Sequence, residues 1–341
     1  MKRLTIILIL ALLSASAYCG PVEKHGKLSV NGSELDDERG KPIVLKGMSF
    51  GWHNWDYMFY DQRVVEWLAN DFGCTAIRVA VGVDPENGYI DNPEWTMDVI
   101  STVIDAAICM DIYVILDWHC HDIRLSQAQD FFGYMAQIYG ENPNIIYEIF
   151  NEPDDEPWKQ VKDYSTRIID TIRYYDPDNI IIVGAPSWSQ DVDVVADDPI
   201  NGYHNLMYSF HFYAASHKAL LRGKMEYAVD KGLPVFVTEC SASFYDGDGD
   251  INIREFRRWF RLLNREKISR MMWSVSGKDE STAMFRPGTV VNDIGECDCL
   301  SPSGLLYGKV LGADSGKHRF LLFIIIIGIG VIVNAIIIKR Q

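Results

Sequence analysis

Ile145-Ile146-Tyr147-Glu148-Ile149-Phe150-Asn151-Glu152-Pro153 is the stretch that decides how this chain is read. Ile145, Tyr147 and Ile149 alternate with Ile146, Glu148 and Phe150. Bulky and β-branched residues dominate, which predicts a buried strand over 145–151. Pro153 cannot donate to a ladder, so the strand stops there and leaves a carboxylic acid, Glu152, at its C-terminal tip. In a parallel barrel that rim is where catalysis is placed. The plainer reading is a solvated Glu after an ordinary strand, since exposed Glu is the common case.

Outward from this stretch, apolar strand-like runs alternate with helical ones. The predicted strands are Ile43–Ser49, Thr75–Val79, Ile112–Trp118, Ile145–Asn151, Asn179–Gly184, Leu206–Tyr213, Val235–Glu239 and Arg270–Val275. Between them the spacing predicts helices, for example Asp61–Phe72, Met97–Met110, Gln127–Tyr139, Trp158–Tyr175, Ser216–Lys231 and Ile253–Glu266. Eight such units imply an α/β fold, a (β/α)8 TIM barrel. A β-hairpin over Lys27–Arg39, turning at Asn31-Gly32, precedes it. An open doubly wound sheet is the competing layout, but no glycine-rich nucleotide fingerprint follows the first strand.

The ends read differently. Lys2 and Arg3 precede an apolar run from Leu4 to Leu13, and Ala15-Ser16-Ala17 forms an A-x-A cleavage site, so residues 1–19 are read as a signal peptide. Phe320–Ile338 is apolar except for Asn334 and carries no charge. It is flanked by Lys317-His318-Arg319 and Lys339-Arg340, and it is long enough to span a bilayer. The expected organisation is a catalytic body over 25–311, a tether over 312–319, a C-terminal transmembrane helix over 320–338 and a cytoplasmic tail over 339–341. The body is then expected as a monomer on the extracellular face of the membrane.

With 32 basic against 47 acidic residues, net charge −15, the surface argues against nucleic acid or an anionic substrate. The 9 Trp and 17 Tyr serve core packing or sugar stacking. Asp246-Gly247-Asp248-Gly249-Asp250 has the look of a calcium loop, but Ile251 stands where Gly is needed and Arg257 where Glu is needed, so a solvated turn is the reading. His119-Cys120-His121 has metal-like residue types without further ligands nearby. No metal and no cofactor is expected. Seven cysteines in an exported protein invite disulfides, whose pairing is left open by the sequence; Cys74, Cys109, Cys120 and Cys240, in or beside core elements, are alternatively read as buried thiols.

Polar residues recur at the predicted strand ends: Arg78 on the second, Asp117-Trp118-His119 on the third, Asn151-Glu152 on the fourth, His211-Phe212-Tyr213 on the sixth, Thr238-Glu239 on the seventh and Trp273 on the eighth. Converging on one rim, they make a candidate site. Paired carboxylates, here Glu152 and Glu239, are the requirement of glycoside hydrolysis. Arg78 and Tyr213 would favour the ionised partner, and His211 could orient the acid.

The chain resembles glycoside hydrolases of family 5, and within them the bacterial-type endo-β-1,4-glucanases (cellulases). The matching runs include Leu45 to Ser49, Gly88 to Asp91, Tyr113 to His119, Ile145 to Pro153, Trp188 to Asp191, His211 to Tyr213, Val237 to Glu239 and Lys278 to Ser281. The resemblance implies that Glu152 is the acid/base and Glu239 the nucleophile, and that Asn151 binds the sugar 2-hydroxyl. It implies that Arg78 and Tyr213 hold Glu239 and that His119 and His211 line the cleavage subsite. It implies that Trp55, Trp188 and Trp273 stack on glucosyl rings and that Lys278 and Glu280 contact a neighbouring sugar. The implied substrate is a β-glucan, with a mannanase, a xyloglucanase or a non-catalytic polysaccharide-binding protein as the alternatives. Two departures stand near the sugar-binding floor. Gly51, with His53 nearby, replaces a usual His, and Cys240-Ser241 replaces a usual Trp-Gly.

Overall fold

The structure is a computed structural model that describes residues 20–296 and 298–312. The predicted signal peptide, most of the tether, the apolar run 320–338 and the tail lie outside the described residues. Among the described residues no helix is long and apolar enough to cross a membrane.

A short hairpin, β1 (Ser29–Asn31) and β2 (Glu34–Asp36), precedes eight parallel strands: β3 (Lys46–Phe50), β4 (Ala76–Gly82), β5 (Tyr113–His119), β6 (Ile145–Glu148), β7 (Ile180–Val183), β8 (Leu206–Tyr213), β9 (Val235–Ser241) and β10 (Arg270–Val275). They close into a barrel in chain order, with β10 pairing β3. The eight-strand reading therefore holds, and the differences are at the edges. β6 ends at Glu148 rather than Asn151, and Arg78 lies in the middle of β4 rather than near its end. The hairpin turns at Gly32-Ser33, because Asn31 is already paired with Glu34; Gly32 takes a φ of +62° there, which suits glycine. Cys109 is exposed, while Cys74, Cys120, Cys240 and Cys299 are buried free thiols.

The two faces of each strand have separate fates. Ile77, Val79 and Val81 of β4, Val114, Leu116 and Trp118 of β5, and Ile181 and Val183 of β7 pack in the core shared with the helices. The opposite parity fills the barrel: Ala76, Tyr113, Ile115, Ile146, Ile180, Ile182, Met207, Phe236 and Met271 form a second core that also takes in Val22, Leu28 and Leu35 of the N-terminal segment. Two residues further along several of these strands the same face turns polar, with Arg78 after Ala76, Asp117 after Ile115, Glu148 after Ile146 and Ser209 after Met207, all fully buried. The barrel is thus apolar at its N-terminal end and charged at its C-terminal end, where TIM barrels place their chemistry.

The outer helices follow apolar stripes at helical spacing. Val161, Tyr164, Ile168, Ile169 and Ile172 of Trp158–Tyr175 are buried. Ile253–Arg265 is capped by Asn252, whose side chain accepts from Glu255 N, and buries Phe256, Trp259 and Leu263. Trp259 stacks on Phe212 at 4.1 Å between centroids and donates from Nε1 to His217 O, fixing the segment after β8 beside the barrel mouth. Truncating such a ring to Ala costs about 3–5 kcal/mol.

Candidate active site

Glu239 reaches the barrel mouth through a bulge. Ser209 and His211 of β8 face Phe236 and Glu239 of β9, and Arg270 and Met272 of β10 face Val237 and Cys240, so β9 carries one extra residue against both neighbours. Without it Glu239 would share the outward parity of Val237; the bulge turns both Thr238 and Glu239 inward. Glu152 arrives differently. Past the end of β6 the chain stays zipped to the end of β5 and the residue beyond it, with Asn151 N donating to Trp118 O at 3.1 Å and Glu152 N to Cys120 O at 3.3 Å.

One carboxylate oxygen of Glu152, one of Glu239 and a ring nitrogen of His211 all lie within 4.8 Å of one another. Arg78, fully buried, organises the floor. Its Nε donates to Glu148 Oε2 at 2.7 Å, its Nη2 to Glu148 Oε1 at 3.2 Å and Asn151 Oδ1 at 2.8 Å, and its Nη1 to Glu239 Oε2 at 3.1 Å and Ser49 Oγ at 3.2 Å. Asp117 Oδ2 lies 3.0 Å from Nη2. Tyr213 OH donates to Glu239 Oε1 in a short hydrogen bond. His211 holds Glu152, with Nδ1 2.8 Å from Glu152 Oε1, and turns Nε2 to Ser209 Oγ at 3.0 Å and Thr238 Oγ1 at 2.9 Å.

The electrostatics follow from burial and these partners. Burial works against the charge of Arg78, but Asp117, Glu148 and Glu239 more than offset it and raise its pKa. Burial would likewise strip His211 of its proton, yet Glu148, 3.8 Å from Nε2, and the bond to Glu152 raise it to about 9, so it is an imidazolium donor at neutral pH. Burial alone would raise Glu148; Arg78 and His211 bring it down to about 2. Burial pushes Glu239 above the ordinary carboxylate value, aided by the charge of Glu152 and opposed by His211, Arg78 and Tyr213. His119 Nδ1 sits 2.6 Å from Asp117 Oδ2, but burial holds the imidazole well below its usual pKa, so this is a hydrogen bond rather than an ion pair.

The aromatic residues arrange around this cluster. Trp273 stacks on His119 at 5.2 Å with planes 12° apart. Trp52 packs edge-on against His119 at 4.3 Å and leads to Trp55 at 4.9 Å. Trp55 is half exposed, with Lys278 Nζ 4.9 Å over its face and Glu280 3.4 Å from that ammonium. Trp188 stands with Ser187 and Ser189 in three consecutive left-handed conformations, a strained run tied down by Trp188 N to Pro153 O and Ser189 Oγ to Asn151 O. It borders a hollow of about 630 Å³ shared with His121, Glu152, Gln190, His211, Tyr213, His217 and Tyr245.

Every singled-out residue thus stands in or beside this mouth. Glu148 and Ser209 were not singled out, and Thr238 was named only as a strand-end residue without a role; each stands at an inward position of its strand. The two departures have physical explanations. A Cβ on Gly51 would come within 2.2 Å of Asp56 Oδ2, so the Asp56 carboxyl fills that space. His53 is buried, accepts from Gly82 N and donates to Thr96 Oγ1, and burial lowers its pKa to about 4. Cys240 Sγ donates to Met271 O, and Ser241 bonds Tyr307 OH, which donates to Trp273 O. As for metals, Glu152, His211 and Glu239 form a triplet of suitable residue types, but Arg78, Tyr213, Ser209 and Thr238 engage their polar atoms, a poor fit to a cation. Asp248 N bonds Asp246 Oδ1, a local turn contact in the acidic loop.

A family profile described as cellulase (glycosyl hydrolase family 5) matches residues 36–279. An endoglucanase of Clostridium saccharobutylicum is 39% identical over 297 residues, 85% of this chain and 66% of that protein. Endoglucanase 5 of Pectobacterium carotovorum is 37% identical over 83% of this chain and 57% of its own length. The chain therefore spans less than two thirds of these relatives. Among solved structures, the catalytic domain of a Thermobifida fusca endoglucanase superposes with a TM-score of 0.82 at 35% identity, covering 86% of this chain and 99% of that one. Another structure of that domain, in complex with cellotetraose, superposes with the same TM-score at 34% identity and the same two coverages.

Proposed function

The chain belongs to glycosyl hydrolase family 5, and from that premise we propose that it is a retaining endo-β-1,4-glucanase, cutting internal bonds of cellulose or related β-glucans by double displacement. The observation that carries this reading is the approach of Glu152 and Glu239 to within 4.8 Å. Retaining enzymes hold their carboxyl groups about 5–5.5 Å apart, whereas inverting ones need about 6.5–9.5 Å to admit a water.

Glu239 is the nucleophile. Arg78 and Tyr213 fix its two oxygens, and the same donors stabilise it as a leaving carboxylate in the second step. Glu152 protonates the departing glycosidic oxygen and then, as a base, activates water. Asn151 spends Oδ1 on Arg78, which leaves a buried Nδ2 without a partner; the sugar 2-hydroxyl satisfies it. Trp273, Trp188 and Trp55 stack on glucosyl rings. His119 lines the cleavage subsite, and Lys278 and Glu280 contact a neighbouring sugar.

We propose further that the protein is exported as a monomer and held at the outer face of the membrane by residues 320–338. The uncharged run with basic flanks supports this. The test of function is a panel of carboxymethyl-cellulose, soluble β-glucans, xyloglucan and mannan with the purified ectodomain. Release of reducing ends from the glucans is the expected result. Turnover of mannan alone, or binding without turnover, would reject the assignment.

A further inference from the structure

His121 lines the hollow beside Glu152 and has been given no role so far. It is carried two residues beyond β5, and the Glu152 N to Cys120 O bond sets it against the acid. Its Nδ1 lies 3.7 Å from Glu152 Oε2. That atom is shut from solvent and has no hydrogen-bond partner, although the ring itself is partly exposed. An orphaned polar atom of this kind is costly unless another state of the site supplies its partner. The groups facing Glu152 divide between its oxygens. His211 Nδ1 holds Oε1 at 2.8 Å, and Oε2 faces His121. Glu239, Tyr213 and His217 surround the carboxylate at longer range.

We propose that His121 is a positioning residue for the acid/base, acting on Oε2, the oxygen that carries the proton to the leaving group. This rests on the assignment of Glu152 as acid/base. With Oε1 committed to His211, the proton delivered to the glycosidic oxygen travels on Oε2. In that transfer the Oε2–H bond breaks, the hydrogen bonds to the departing oxygen, and the electron pair stays on Oε2 as carboxylate charge. A contraction of a few tenths of an ångström brings His121 Nδ1–H into hydrogen-bond range of that charge. The carboxylate is then received between two imidazole donors, which are stronger when the acceptor is ionised. The contact is long in the resting enzyme and tightens in the transition state, so it aids protonation rather than substrate binding.

The experiment compares wild type, His121→Leu and His121→Asn on a series of aryl β-cellobiosides of graded leaving-group acidity, reading kcat/KM, which reports the first step. Asn keeps an N–H near the position of Nδ1; Leu keeps bulk without it. The expected result is that His121→Leu leaves the 2,4-dinitrophenyl substrate within about twofold, because that leaving group needs little help, and lowers the poorest leaving groups and β-glucan about tenfold. The plot against leaving-group acidity steepens, KM changes little, and His121→Asn restores most of the loss. An equal loss across all leaving groups, or a slope unchanged from wild type, overturns the proposal while leaving the glucanase reading intact. A Glu152→Ala variant run on the same series and matching wild type throughout overturns both.

Discussion

Arg78, in the middle of β4, places Nη1 3.1 Å from Glu239 Oε2 while its Nε and Nη2 fork onto Glu148. One buried guanidinium thereby fixes Glu239, the proposed nucleophile, against a carboxylate from the opposite side of the barrel floor. The arrangement ties stability and activity to the same side chain.

Arg78→Ala leaves Glu148, Asp117 and Glu239 without their cation. Breaking a buried pair this way costs about 3–5 kcal/mol, and losing a donor to the reacting carboxylate lowers kcat/KM by about a hundredfold or more. Arg78→Lys keeps the charge without the fork and falls between the two. Urea midpoints alongside kinetics check this; an alanine variant of wild-type stability would contradict it.

His211 titrates near 9 in the folded protein against about 6.5 unfolded. The folded state binds the proton more tightly, so its stabilisation is fully present below about pH 6.5 and is lost as pH rises through about 9. The shift corresponds to about 3 kcal/mol. The stability gap between wild type and His211→Gln should be widest near pH 6 and shrink towards pH 10; a gap that grows with pH would refute the pairing.

Asp56 presents the opposite case. It is buried against Gly51 and accepts from Ser276 Oγ at 2.8 Å, and burial raises its pKa to about 6. The folded state holds that proton more tightly than the unfolded chain, whose Asp titrates near 4, so stability falls as pH rises from about 4 to about 6 and the cost is complete above it. Asp56→Asn should therefore stabilise the protein at pH 8, by up to about 3 kcal/mol, and change little at pH 4. Thermal melts at both values decide it.

Removing residues from 320 onward should release a folded, active ectodomain into the aqueous fraction, while the full-length chain requires detergent. Fractionation followed by assay tests the tether. A full-length chain recovered in the soluble fraction without detergent would contradict it.

The eight strands were legible because each carries a short apolar run between helical stretches, and the rim was legible because polar residues recur where those runs end. Glu148 was harder to see. It lies within the alternation of β6, and its role depends on Arg78 occupying the same barrel layer two strands away. The bulge in β9 left no local sign, although it decides that Glu239 faces inward rather than towards the helices. His53 shows the converse. Its place near Gly51 suggested the sugar-binding floor, but Gly82 N and Thr96 Oγ1 hold both its nitrogens in the packing behind it.

The most direct test of the central claim is the anomeric configuration, by proton NMR, of the glycosyl azides formed by two variants acting on an activated aryl β-cellobioside. Glu239→Ala cannot form a glycosyl-enzyme, so azide attacks from the vacated face and the account predicts the inverted α-azide. Glu152→Ala still forms the glycosyl-enzyme with a good leaving group, azide then attacks it, and the predicted product is the retained β-azide. Exchange of the two products would reverse the roles of Glu152 and Glu239, and a first-formed α-product from the wild-type enzyme on its natural glucan would contradict retention itself.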